Sequence, residues 1–261
     1  MMRFKSILIF FPVTLLLFCC LPPLFGEKSN FAPFGNDERT RKIFKQEQII
    51  KEGSTLVEEG RYEEAIKKYK EALNPSVLNE ERDKGNAIYY IEKVYKLQGK
   101  YEEALKELQW SINENSNGTG WFDEKLELEA LIKARDTNST QPIYEHIEYL
   151  KKKYKDQLPP NAGAYSDIVA TAIIRLYDHI GDFDGGIQFV EGFFKRCADG
   201  ITCKGEERKL AYTPKHPYFP IKQAFLQDKA EGQPSCIDAK PGEVCMGRAT
   251  KALIQSNYFP W

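Results

Sequence analysis

The stretch "IGDFDGGIQFVE" holds carboxylates at spacings that suggest a calcium loop. With Gly185 at the sixth place of such a loop, Asp182, Asp184, Ile187 and Glu191 fall at places three, five, eight and twelve. Place one is Ile180, which supplies no carboxylate, so the loop lacks its first ligand. Three histidines occur, His146, His179 and His216, and none has the spacing of a zinc-hydrolase helix. There is no nucleophile elbow and no phosphate-cradling glycine loop. The acidic pairs Glu63-Glu64 and Glu102-Glu103 open predicted helices, where the amino-terminal dipole already favours them. Four cysteines cluster late, at Cys197, Cys203, Cys236 and Cys245, after a long stretch without any. Zinc usually takes pairs two to four residues apart, which these are not. An even set in an exported chain reads as disulfides, with three pairings open; the local pairs Cys197–Cys203 and Cys236–Cys245 are expected.

The elements around these residues repeat. "GRYEEAIKKYKEAL", from Gly60, returns as "GKYEEALKELQWSI", from Gly99. A weaker copy starts at Asn138 in "NSTQPIYEHIEYLK", and another at Gly181 in "GDFDGGIQFVEGFF", so the starts are separated by 39, 39 and 43 residues. Periods of this size mark stacked units. Within the first copy Ala65, Ile66, Tyr69, Ala72 and Leu73 share one helical face, and lysines and glutamates cover the other. A further apolar helical run precedes each start. Each unit therefore reads as a helix, a turn at a residue suited to positive φ, and a second helix running back.

These residues resemble the tetratricopeptide repeat family. Gly53, Leu56, Gly60, Tyr62, Ala65, Tyr69 and Ala72 match its pattern in the first unit, and Tyr95, Gly99, Tyr101 and Ala104 in the second. The second unit departs from it with Glu92 where the first has Gly53, and the fourth with Gly186 where the first has Ala65. The resemblance implies an all-α array of antiparallel helical hairpins, an α-solenoid, over residues 46–195. Its extra residues should lengthen the connectors "NPSVLNEERDK", "NENSNGTGWFDEK" and "KYKDQLPPNAGA". It further implies that the first helix of each hairpin lines an inner face that takes up a partner segment. Carried over by register, that face comprises Ile50, Ser54, Asn86, Tyr89, Lys93, Lys96, Thr171, Arg175 and Asp178. Lys93, Lys96 and Arg175 would favour an acidic segment. Residues 196–261, proline-punctuated and cysteine-bearing, are expected to form a cap over the last apolar face.

Residues 1–26 open with Arg3 and Lys5 and run apolar from Ile7 to Gly26, as an export signal or an uncleaved amino-terminal membrane anchor does. Cys20, three residues after Leu17, stands where bacterial lipoprotein signals carry their lipidated cysteine. Residues 27–45 read as a tether. The 37 basic and 38 acidic residues leave a net charge of −1, so nothing attracts nucleic acid by charge. Together these features predict an exported, envelope-bound, non-catalytic scaffold with a protein or peptide partner and no cofactor. The competing expectation is an enzyme whose site lies in the tail among His216, Glu231, Asp238 and Glu243. If Cys20 is lipidated, wild-type protein should partition into detergent phase and Cys20→Ala should stay there only with an uncleaved signal; a soluble mature chain beginning at Glu27 would count against both anchored forms.

Overall fold

The computed structural model describes residues 38–77, 84–114, 119–155, 158 and 164–256. The signal or anchor segment and Cys20 lie outside them. Among the described residues there are ten α-helices and a 3-10 turn at Gly205–Leu210, with no strand. The helices are α1 (Glu38–Glu58), α2 (Tyr62–Glu71), α3 (Lys84–Leu97), α4 (Tyr101–Glu114), α5 (Thr119–Thr137), α6 (Gln141–Lys153), α7 (Ala164–Ile180), α8 (Phe183–Ala198), α9 (Phe219–Glu231) and α10 (Arg248–Ile254). Each packs on its neighbour in sequence, and α10 also packs on α7. None of these helices is long and apolar enough to cross a membrane.

Four turns share one geometry. Gly60, Gly99, Asn138 and Gly181, the four repeat starts, have φ of 76°, 64°, 47° and 72°. In each turn the residue after this one donates its N–H five residues back: Arg61 to the Leu56 carbonyl, Lys100 to Tyr95, Ser139 to Ala134 and Asp182 to Tyr177, at 2.8 to 3.1 Å. The left-handed residue itself donates three residues back, to Val57, Lys96, Arg135 and Asp178. This paired closure satisfies carbonyls that a helix end leaves open. Glycine adopts that conformation without a Cβ penalty, and asparagine is the usual substitute in the left-handed region. The degenerate third unit thus keeps the turn of the others.

Small residues mark the close crossings. A Cβ built on Gly53 of α1 would lie 2.4 Å from the Tyr69 ring of α2. That ring is fully buried, lies 5.3 Å from the Tyr90 ring in a stack, and places its hydroxyl 3.2 Å from Ser54 Oγ. Gly186 of α8 plays the same part for a different neighbour, since a Cβ there would lie 2.5 Å from the Phe225 ring of α9. Between turns, exposed ion pairs repeat as well: Glu63 of α2 accepts from Lys100 at 2.7 Å, and Glu102 of α4 from Arg135 at 3.0 Å. At such exposure each contributes little.

The core divides in two. Val57, Ala65, Ile66, Tyr69, Ile91, Val94 and Leu97 form one cluster across α1 to α3, and a larger one spans α4 to α10. The first cluster also contains Ile254, from the last helix.

Three expectations are corrected. The tether is shorter than 27–45, because α1 already begins at Glu38: after Gly35 no proline or glycine interrupts "NDERTRKIFKQEQ". The second half of "NENSNGTGWFDEK" is not a connector but the first turns of α5. The tail does cover the last hairpin through α9, yet it also runs back to the first cluster, so it is more than an end cap. Both disulfides have the expected local pairing, Cys197–Cys203 and Cys236–Cys245.

Because the Tyr69 ring is held on several sides, Gly53→Ala should cost about 1 to 3 kcal/mol by overpacking, outweighing the gain in helix propensity. Ala65→Leu, at a fully buried position, should cost a similar amount. Thermal melts showing both variants as stable as wild type would count against this packing.

Candidate functional site

The residue types that sequence reading placed on an inner face meet around one buried ammonium. Lys96 of α3 is 7% exposed. Its Nζ lies 2.5 Å from Glu124 and 3.0 Å from Glu127, both on α5, and 3.1 Å from Glu92 one turn back on α3. The Arg175 guanidinium of α7 reaches Glu127 at 3.4 Å. Lys93, 3% exposed, stands 4.1 Å over the centre of the Tyr89 ring. Three carboxylates, Glu92, Glu124 and Glu127, thus face three cationic side chains, and the first helices of the second, third and fourth hairpins are tied by charge.

Burial and neighbouring charge set the protonation states. Burial opposes the Lys96 cation, but Glu124, Glu127 and Glu92 outweigh it and raise its pKa above the ordinary lysine value. Burial likewise opposes ionisation of Glu127, and Lys96 and Arg175 outweigh it, holding that carboxyl down at about 2. Glu92 goes the other way. It is wholly buried, and its contact with Lys96 lacks the alignment of a hydrogen bond, so desolvation pushes it up to about 7. Lys93, buried and repelled by Arg175, is drawn down to about 7.

The network borders a narrow cleft, lined by Lys96, Glu127, Arg175 and His179 on one side and by Met246 and Thr250 of the tail on the other. His179 is held neutral by burial, which draws it down to about 4, and its Nε2 lies 3.4 Å from the Tyr101 hydroxyl. Asp178 faces the tail. Its Oδ2 accepts the Thr250 N–H at 3.0 Å, and burial pushes the carboxyl up to about 6 despite that bond. Asp228 of α9, fully buried, accepts the Arg248 N–H at 2.7 Å and its guanidinium at 2.6 Å. Two buried aspartates therefore fix the start of α10.

The predicted face divides accordingly. Tyr89, Lys93, Lys96 and Arg175 come together, but as a charge-balanced cluster, with Lys93 and Lys96 buried and Tyr89 and Arg175 part-exposed, in place of a solvated cationic one. Ile50 packs on the first core cluster, and Ser54 bonds to Tyr69 and to the Ile50 carbonyl. Thr171 is buried, with its hydroxyl turned back to the Ile168 carbonyl, and Asp178 is committed to α10. Asn86 falls in α3, and its side chain lies outside the described residues. Sequence reading treated Glu92 as a mere departure from the repeat pattern and placed Glu124 in a connector. The available signal was Glu92 itself: a carboxylate where the pattern wants a small core residue must find a cation. His146 is buried beside Tyr149.

The residues that suggested other chemistry are engaged structurally. Asp182 caps α8 by accepting the Gly185 N–H at 2.9 Å, Asp184 pairs with Lys229 at 2.6 Å, and Glu191 pairs with Lys222 at 2.7 Å. Among the described residues no three His, Cys, Asp or Glu side chains are grouped to hold a metal ion. In the tail, His216 packs against Phe194, Glu231 pairs with Arg248, and Glu243 accepts the Lys240 N–H. No protein-family model, curated protein or solved structure matches this chain.

Removing the central cation takes the ammonium from Glu92 and Glu124 and leaves Glu127 with Arg175 alone, so Lys96→Met should cost about 3 to 5 kcal/mol at neutral pH. Glu92 predicts a pH effect of definite sign. Between its ordinary value of 4.5 and about 7 the folded chain keeps a proton that the unfolded chain gives up, so stability is lost as pH rises through that window. Glu92→Gln removes this loss. Its melting temperature relative to wild type should therefore be higher at pH 8 than at pH 5; a difference independent of pH would contradict the assignment.

Proposed function

We propose that this protein is a non-catalytic adaptor of the bacterial cell envelope, built as a tetratricopeptide-like array and binding a segment of a partner protein on the inner face of its hairpins. One observation carries the reading: the four repeat starts, separated by 39, 39 and 43 residues, each fall at a left-handed turn between two helices packed on one another, α1 on α2, α3 on α4, α5 on α6 and α7 on α8. The same closure also ends α8 at Gly200 and α9 at Gly232, so the spacing and not the turn alone marks the repeat. Four like hairpins in succession are what a stacked array requires. Two disulfides are consistent with export, since such bonds persist in oxidising compartments. Residues 1–26 would direct the chain across the membrane and hold it there, through Cys20 or as an anchor.

The partner's chemistry is narrowed by the charge cluster. Lys96 is already surrounded by carboxylates, so the preference for an acidic segment rests on Arg175, which lines the cleft and has its one described carboxylate contact at 3.4 Å. Ile50, Ser54 and Tyr89, all part-exposed, would supply the remaining contact surface.

Site-specific photo-crosslinking in cells tests this. A crosslinker at position 50, 54 or 89 should trap one and the same protein, while one at Lys67, on the solvent side of α2, should not. Equal trapping from both faces, or none from the inner positions, would sink the reading.

A further inference from the structure

The segment from Ser235 to Ile254 closes the cleft onto which Lys96, Arg175 and Asp178 of the proposed inner face open. The Cys236 N–H donates to the His179 carbonyl at 2.8 Å, and Ser235 Oγ donates to the same oxygen at 3.2 Å. The Gly242 N–H donates to the Gln98 carbonyl at 2.8 Å. His179 and Gln98 lie at the ends of α7 and α3, where helix carbonyls lack partners within the helix. Farther along, Met246 packs on the first core cluster, the Thr250 N–H is held by Asp178, and Ile254 is a buried member of the cluster that α1, α2 and α3 share. The segment thus runs from the end of α7 past the end of α3 to the first core cluster, closing the cleft on its way. Most of its polar anchors are backbone N–H groups, which any extended segment possesses.

We propose that residues 235–254 are an autoinhibitory strap, holding the inner face in cis, and that the Cys236–Cys245 disulfide is its lock. The proposal rests on the adaptor reading. The disulfide joins the residue bonded to His179 to a residue lining the cleft just before α10, and the loop between them passes over the Gln98–Gly99 turn. Cys236 is 3% exposed whereas Cys245 is part-exposed, so Cys245 Sγ is the sulfur open to attack. A dithiol reductant attacks there as thiolate, forming a mixed disulfide and expelling the Cys236 thiolate, which takes up a proton. The reductant's second thiol then displaces Cys245 and leaves as a disulfide. Two electrons and two protons pass to the chain, and the loop constraint is gone. The face so opened fits an extended segment that offers backbone N–H groups to Gln98, His179 and Asp178, and an aliphatic side chain to the site of Ile254.

The test uses the chain's own segment as probe. A fluorescent synthetic peptide of residues 233–256, oxidised at its two cysteines, is titrated into the full chain in detergent and followed by anisotropy. Oxidised wild type should exclude it. The double variant Cys236→Ser, Cys245→Ser, which keeps Cys197–Cys203, should bind it at least tenfold more tightly. Ile254→Ala, which weakens the strap without touching a cysteine or the receiving face, should also gain affinity. Equal binding by wild type and variants overturns the proposal. So does loss of helical circular dichroism in the double variant, which would make the disulfide a staple of the fold. Crosslinking from positions 50, 54 and 89 is repeated in the double variant: no trapping in either form removes the adaptor reading, whereas peptide binding that is equal in all forms removes the strap alone.

Discussion

A lysine ammonium cannot be left alone in a protein interior; desolvation would strip its proton unless carboxylates surround it. Lys96 meets that demand with one carboxylate from its own helix and two from α5, and Arg175 of α7 shares one of them. Register follows from this. Sliding α3 along α5 by one turn would separate charges in a low-dielectric setting, a far larger penalty than sliding one aliphatic face over another. Apolar contacts hold each hairpin together, while the charge network fixes how the first helices of successive hairpins line up.

The same network explains why α5 has little apolar periodicity. Asp123, Glu124 and Glu127 are all buried, Asp123 toward Tyr149, Tyr154 and Lys153, the others toward Lys96. A helix satisfied on two sides by charge does not advertise an apolar stripe. Its start was accordingly hidden in the sequence, inside an Asn- and Gly-rich stretch that reads as loop. By contrast, the four turns were legible because positive φ selects Gly or Asn, a constraint that acts on one residue and survives the loss of the surrounding pattern, as at Asn138. Gly53 was legible for a similar reason: the Tyr69 ring leaves no room for a Cβ.

The candidate site was only half legible. Register put Tyr89, Lys93, Lys96 and Arg175 on one surface, and they do meet. Register says nothing of what covers that surface, because the tail belongs to no repeat and its path is set by contacts distant in sequence. Asp178 was read as a partner contact for this reason, although it fixes α10, and nothing in the repeat pattern showed that His179 gives its carbonyl to the tail. Local pairing of the cysteines was recoverable because short loops close at small entropic cost.

The placement of Ile254 among Val57, Ile66 and Tyr69 bears on the order in which the protein can be made. A chain synthesised from its amino end, and threaded through a membrane in that order, presents the first three helices long before the last one exists. Those helices can form hairpins early, since their contacts are local. Their shared core, however, lacks a wall until some 160 later residues have emerged. During that interval an apolar seam stands open in the nascent protein, available to chaperones or to aggregation. Completion of the first cluster thereby waits on α10, and a chain truncated before that helix would carry the defect permanently.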